Sequence, residues 1–169
     1  MTQAQLQSGV DGFSDEKPLE DHVVKIYRCA KVVKGGRRFR FAALVIVGDR
    51  RGTVGVGYGK ANEVPVAVEK GIKNARKNLV TIRLKGNTIP HRVVAKFGAA
   101  KVILVPAAEG TGIIAGIHLR PLLDLVGLRD VLTKSFGSSN PKNLVKAGLV
   151  GLQRLRTAEE VARLRGVEV

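Results

Sequence analysis

Tryptophan is absent from this 169-residue chain, cysteine and methionine occur once each, and aromatic residues amount to 4%. The lone Cys29 leaves no internal disulfide and no cysteine-built zinc cluster, which fits a reducing, cytoplasmic setting. It falls in an expected strand, where a thiol serves as core filler rather than nucleophile. The three histidines, His22, His91 and His118, are scattered without ligand spacing, so surface or packing roles are expected and no metal or cofactor is implied. Long apolar runs are missing as well. The longest, "FAALVIVG" at 41–48, is far too short to span a bilayer. The opening residues, "MTQAQLQSGVDGFSDEKPLED", hold neither an apolar signal core nor an Arg-rich transit pattern, so no membrane association is expected.

Acids are the scarcest charged class. Fourteen Asp and Glu stand against 29 Lys and Arg, a net charge of +15. The imbalance is uneven: residues 1–21 hold five acids and one base, whereas residues 22–85 hold 16 bases and three acids. Self-repulsion of that size in a compact domain calls for a polyanionic partner. Nucleic acid fits, and an acidic membrane surface lacks any device to meet it. Hydrophobic residues reach 44%, enough for a folded core.

The pattern along the chain predicts an α+β protein. Residues 1–21 read as a flexible acidic tail. Residues 22–85 form a first domain with three antiparallel strands, "HVVKIYRCAKVV", "RRFRFAALVIVG" and "TVGVGYG", joined by turns too short for parallel crossovers. A helix follows from about Val64 to Leu79, capped by Asn62 or Glu63, with Pro65 in its first turn and an apolar stripe of Val64, Val68, Ile72, Ala75 and Leu79. Lys70, Lys73 and Lys77 lie on its opposite face. Residues 86–158 form a second, α/β domain: two strands around Gly98, a helix over "GTGIIAGIHLRPLLDLVG", a short strand, and a helix capped by Asn140. Residues 159–169 close the chain with a short helix and tail, begun by Thr157 and Glu160 in capping-box spacing.

Two glycine-rich stretches invite a phosphate-binding reading. Gly59–Lys60 would need glycine at position 54 and Ser or Thr at 61 for a P-loop, but those are Val54 and Ala61. A dinucleotide fingerprint from Gly55 and Gly57 would need glycine at 60, which is Lys60. The glycines of that strand instead let backbone or a base edge approach closely, so substitution there is expected to harm RNA docking more than folding. In "PAAEGTGIIAG", Gly110, Thr111 and Gly112 form a nest that could hold a phosphate or a protein contact, with Arg120 nearby. A small-molecule phosphotransferase built on that loop is the alternative function, although no metal pair or general base accompanies it. No catalytic constellation is visible and the chain is not expected to be an enzyme.

The strings "KVVKGGRRFRFAALVIVGDRRGTVGVGYGKANEVPVAVEKGIKNARKNL", "PAAEGTGIIAG" and "LTKSFGSSNPKNLVKA" resemble the bacterial-type ribosomal protein S5 family over about residues 19–165. The resemblance implies a double-stranded-RNA-binding-like β-β-β-α domain, then a small α/β domain with a left-handed crossover. It implies a structural role in the small ribosomal subunit, at the junction of body and head near the channel through which messenger RNA enters, in support of translational accuracy. The implied partners are small-subunit ribosomal RNA, messenger RNA and ribosomal proteins S4 and S8, rather than a second copy of the chain. The hairpin "CAKVVKGGRRF" corresponds to the family loop that reaches toward head RNA. The expected RNA-binding residues are Lys25, Arg28, Lys31, Lys34, Gly35, Gly36, Arg37, Arg38, Arg40, Arg50, Arg51, Tyr58, Lys60, Lys70, Lys73 and Lys77. One departure is expected to matter: Pro121 should kink the helix that follows Gly112.

Overall fold

The computed structural model describes residues 19–167. The acidic tail therefore lies outside the described residues except at its end, where Glu20 and Asp21 already pair with Gly48 and Val47. Strands β1 (Glu20–Val33), β2 (Gly36–Gly48), β3 (Thr53–Ala61) and β4 (Leu79–Thr81) form one antiparallel sheet in that order. The first three match expectation. The short β4 was not anticipated; it adds Leu79–Thr81 to the edge of β3 where the helix was expected to end.

Helix α1 (Val64–Lys77) packs on one face of this sheet, and its buried line is Ala67, Gly71 and Ala75. This corrects the expected stripe: Val68 and Ile72 only flank the contact, and Leu79 is exposed. The reason lies in β3. Gly55, Gly57 and Gly59 all face the helix, so the two backbones come together and only the smallest helix residues fit between them. Glu63 takes the N-cap position without a side-chain cap bond, and Pro65 occupies the first turn.

The second sheet runs β5 (Val93–Phe97), β6 (Ala100–Pro106), β8 (Val131–Gly137) and β7 (Ile113–Ile114), antiparallel except that β7 runs parallel to β8. Here the expected long helix does not form. Ile113 and Ile114, β-branched residues following Gly112, pair with Val131 and Leu132, and α2 (Arg120–Val126) begins only later. Pro121 therefore sits in the first turn, where a missing N–H breaks no helical bond, and the expected kink is absent. Gly127 ends α2 in the left-handed conformation at φ 96°. Helix α3 (Pro141–Gln153) starts at Asn140, whose side chain accepts a hydrogen bond from the Lys142 N–H. In α4 (Ala158–Arg165), Thr157 caps the Glu160 N–H, while the Glu160 carboxylate meets Arg83 at 2.8 Å.

One core joins the two sheets. Leu44, Ile46 and Val54 from the face of the first sheet opposite α1 pack with Leu104, Leu122, Leu123, Leu152 and Leu155. At the seam, the N–H groups of Arg50 and Gly52 donate to the carbonyls of Leu125 and Val126 at 3.0 and 2.8 Å. The β2–β3 turn thus satisfies the C-terminal carbonyls of α2, groups that a helix leaves unpaired.

Candidate nucleic-acid interface

Strands β1 and β2 remain paired out to Val33 and Gly36, leaving Lys34 and Gly35 as a two-residue turn with Gly36 at φ 122°. From Cys29 to Arg40 every residue is exposed or half-buried, so this end of the hairpin is an arm without a core, and Cys29 is not the core filler expected. Strand alternation sorts its side chains onto two faces. One face, continuous with the core shared by the sheets, carries Lys25, Tyr27 and Lys31 from β1, Arg38 and Arg40 from β2, and Tyr58 and Lys60 from β3. The other, on the α1 side, carries Arg28 and Arg37 with Phe39 and Phe41. The Arg28 guanidinium lies 3.7 Å from the centre of the Phe39 ring, a cation–π contact that pre-orders it.

Lys70, Lys73 and Lys77 are exposed on α1. Lys73 shares its charge with Glu69 at 2.7 Å; that hydrogen bond, then the lysine's charge, hold the Glu69 carboxyl below its ordinary range. Arg50 and Arg51 lie apart from the other expected residues, at the opposite end of the sheet. The Arg50 guanidinium bridges Glu20 at 2.9 Å and Asp124 at 3.6 Å, so its charge is shared with the fold although the side chain stays half exposed. Asp49 shapes this turn. Its carboxylate accepts from the Arg51 and Thr53 N–H groups; burial works to raise its pKa, but these bonds outweigh it and hold the group below its ordinary range.

Where the open face meets the second sheet, side chains distant in sequence converge. Tyr27 and Tyr58 stand with ring centres 6.5 Å apart. Lys25 approaches the Tyr27 ring at 5.9 Å, while Lys60 and Lys142 approach the Tyr58 ring at 5.7 and 4.3 Å. Burial raises the pKa of both phenols, so neither carries charge near neutrality. His118 is half-buried close by; burial first, and the charge of Lys25 second, lower its pKa. Lys142 went unnoticed in the sequence. Its only signal was its spacing of four from Lys146 on a largely apolar helix.

The glycines of β3 have a different role from the one expected. A Cβ on Gly55, Gly57 or Gly59 would stand 2.3, 2.0 or 2.0 Å from the carbonyl oxygens of Ala75, Gly71 and Ala67. The approaching backbone belongs to α1, which leaves no room for a base edge, so these glycines serve the fold.

The Gly110–Gly112 loop does not supply the expected phosphate nest. Its Gly112 N–H donates to the buried Asp130 carboxylate at 2.9 Å, and the Thr111 hydroxyl donates to the Ala108 carbonyl at 2.7 Å. An internal anion already holds the donor that a phosphate would need. Gly110 itself faces open space, and Arg120 is exposed at the start of α2. His91 accepts from the Arg156 N–H through Nε2, a packing role. Among the described residues no group of three metal-ligating side chains converges. Among the same residues no helix is long and apolar enough to cross a membrane.

Comparison with known families gives two matches. A family model described as ribosomal protein S5, N-terminal domain, matches residues 19–83. A second, described as ribosomal protein S5, C-terminal domain, matches residues 95–165.

Proposed function

The chain belongs to the ribosomal protein S5 family, and on that premise we propose where and how it works in the small ribosomal subunit. Members are structural, non-catalytic proteins that bind ribosomal RNA. In this reading the chain holds RNA at the junction of body and head, near the channel through which messenger RNA enters, and supports accurate decoding. Ribosomal proteins S4 and S8 meet its C-terminal half, around Gly110 and Arg120.

The observation that carries the reading is the coreless arm. Residues Cys29 to Arg40 bury almost nothing, yet Lys31, Lys34, Arg37, Arg38 and Arg40 are all exposed on it. A segment that adds little to the core is available to hold something outside its own domain. Losing one or two charge-assisted hydrogen bonds there, about 1.5–3 kcal/mol each, is enough to shift a conformational balance tenfold or more. The test uses small subunits carrying Arg37→Ala with Arg38→Ala, or lacking Gly36. Because the family loop that this arm resembles reaches head RNA near the spectinomycin pocket, normal incorporation with altered misreading or spectinomycin response is expected. Normal incorporation with both readouts unchanged would reduce the arm to an ordinary turn.

A further inference from the structure

We infer that Lys25, Lys60 and Lys142, held against Tyr27 and Tyr58, form a phosphate-binding site for an RNA strand that crosses from the N-terminal sheet onto α3. The inference rests on the RNA-binding reading and deepens it, because it brings the C-terminal half into contact with RNA.

Three ammonium groups lie within 6 Å of two adjoining tyrosine rings. Among the described residues none of them forms an ion pair with a carboxylate. The fold has therefore gathered positive charge at a seam and left it unneutralised. Contact with a ring face at an exposed site compensates only a small part of each cation's charge, so an anion from outside completes the cluster. The tyrosines orient the lysines and reduce the side-chain freedom lost when an anion binds.

A polyanion fits better than a single ion because the cluster is one end of a row. On the same face, Arg40 stands opposite Cys29, and Arg38 opposite Lys31, extending the positive charge from the seam to the arm tip. Lys142 reaches this row because Asn140 starts α3 there and places Lys142 in its first turn. A backbone following the row meets successive cations with no intervening acid, the arrangement by which proteins track nucleic-acid strands.

The test measures binding of the full chain to protein-free small-subunit ribosomal RNA as a function of salt. One phosphate contact contributes about 0.7–0.9 to the slope of log affinity against log salt. Lys142→Ala is expected to reduce the slope by that amount with an unchanged melting midpoint, and Lys142→Arg to retain it. Lys101→Ala, which removes a charge from the outer face of β6, should leave the slope as it is. An unchanged slope in Lys142→Ala, or an equal loss in Lys101→Ala, overturns the inference. Acetylation of Lys142 separates the sources of phosphate: ribosomal RNA should protect it and inorganic phosphate should not. Protection in assembled subunits but not by RNA alone would assign the site to a protein carboxylate and overturn the inference. If the wild-type chain shows no salt-dependent RNA binding, the underlying function fails instead.

Discussion

Two sets of glycines in the N-terminal sheet lie among similar positive charge and do opposite work. Gly55, Gly57 and Gly59 face the backbone of α1 so closely that an added Cβ would stand 2.0–2.3 Å from a carbonyl oxygen. Gly35 and Gly36, at the arm tip, have nothing within 4 Å of a missing Cβ. The first set makes a packing contact possible; the second shapes a turn in open solvent. What stands opposite the absent side chain decides a glycine's function, and that neighbour is often remote in sequence.

Gly57→Val gives the sharpest test of this contrast. The obstacle is backbone in the middle of α1 and cannot rotate aside, so the expected cost is at least about 3 kcal/mol, the upper end for overpacked cores. Cooperative melting should be lost or strongly lowered, and a wild-type midpoint would break the comparison. Replacing Lys70, Lys73, Lys77, Arg37 and Arg38 by alanine should do the reverse. The melting midpoint should barely move, while the salt slope of RNA binding should flatten by about 3.5–4.5 for five phosphates. A slope that does not change would place RNA elsewhere.

Gly36→Ala is intermediate. Space is free, but the φ of 122° is strained for any residue with a Cβ, and about 1 kcal/mol is expected in a denaturant melt. A loss as large as that of Gly57→Val would mean that the arm shares in the core after all. The seam offers a pH test. His118 has a lowered pKa in the fold, so the unfolded chain binds its proton first, starting near the ordinary value of 6.5. Stability should be level above that pH and decline as pH falls below it, and His118→Gln should flatten this part of the decline. Gly35→Ala is the smallest change, expected within about 0.5 kcal/mol, since neither space nor backbone angle opposes it.

Much of this was legible in sequence because local rules suffice where an element is local. The arm shows itself through alternating Arg38, Phe39, Arg40 and Phe41 beside a Lys-Gly-Gly turn, and α3 through Asn140 and Pro141. The misses share one cause. The string "GTGIIAGIHLRPLLDLVG" reads as one helix because nothing local separates Ile113 and Ile114 from it; their partners in β8 lie 18 residues away. The stripe on α1 was assigned to its large residues because nothing in the helix reveals that a strand of glycines faces it. Lys142 was missed because its neighbours, Tyr58 and Lys60, are more than 80 residues earlier.

Composition and pattern by themselves determined the charge, the polyanionic partner and most of the strands and helices. Each depends on residue type and short spacing, which the chain carries into any fold. Only the tertiary structure decided which cations share a face, that Arg50 is engaged by Glu20 and Asp124, that Asp130 fills the Gly112 nest, and that Lys142 meets Tyr58. Those are contacts between side chains or backbone groups from separate elements. Packing the two sheets on one shared core brings them within bonding distance, and no local preference encodes that distance.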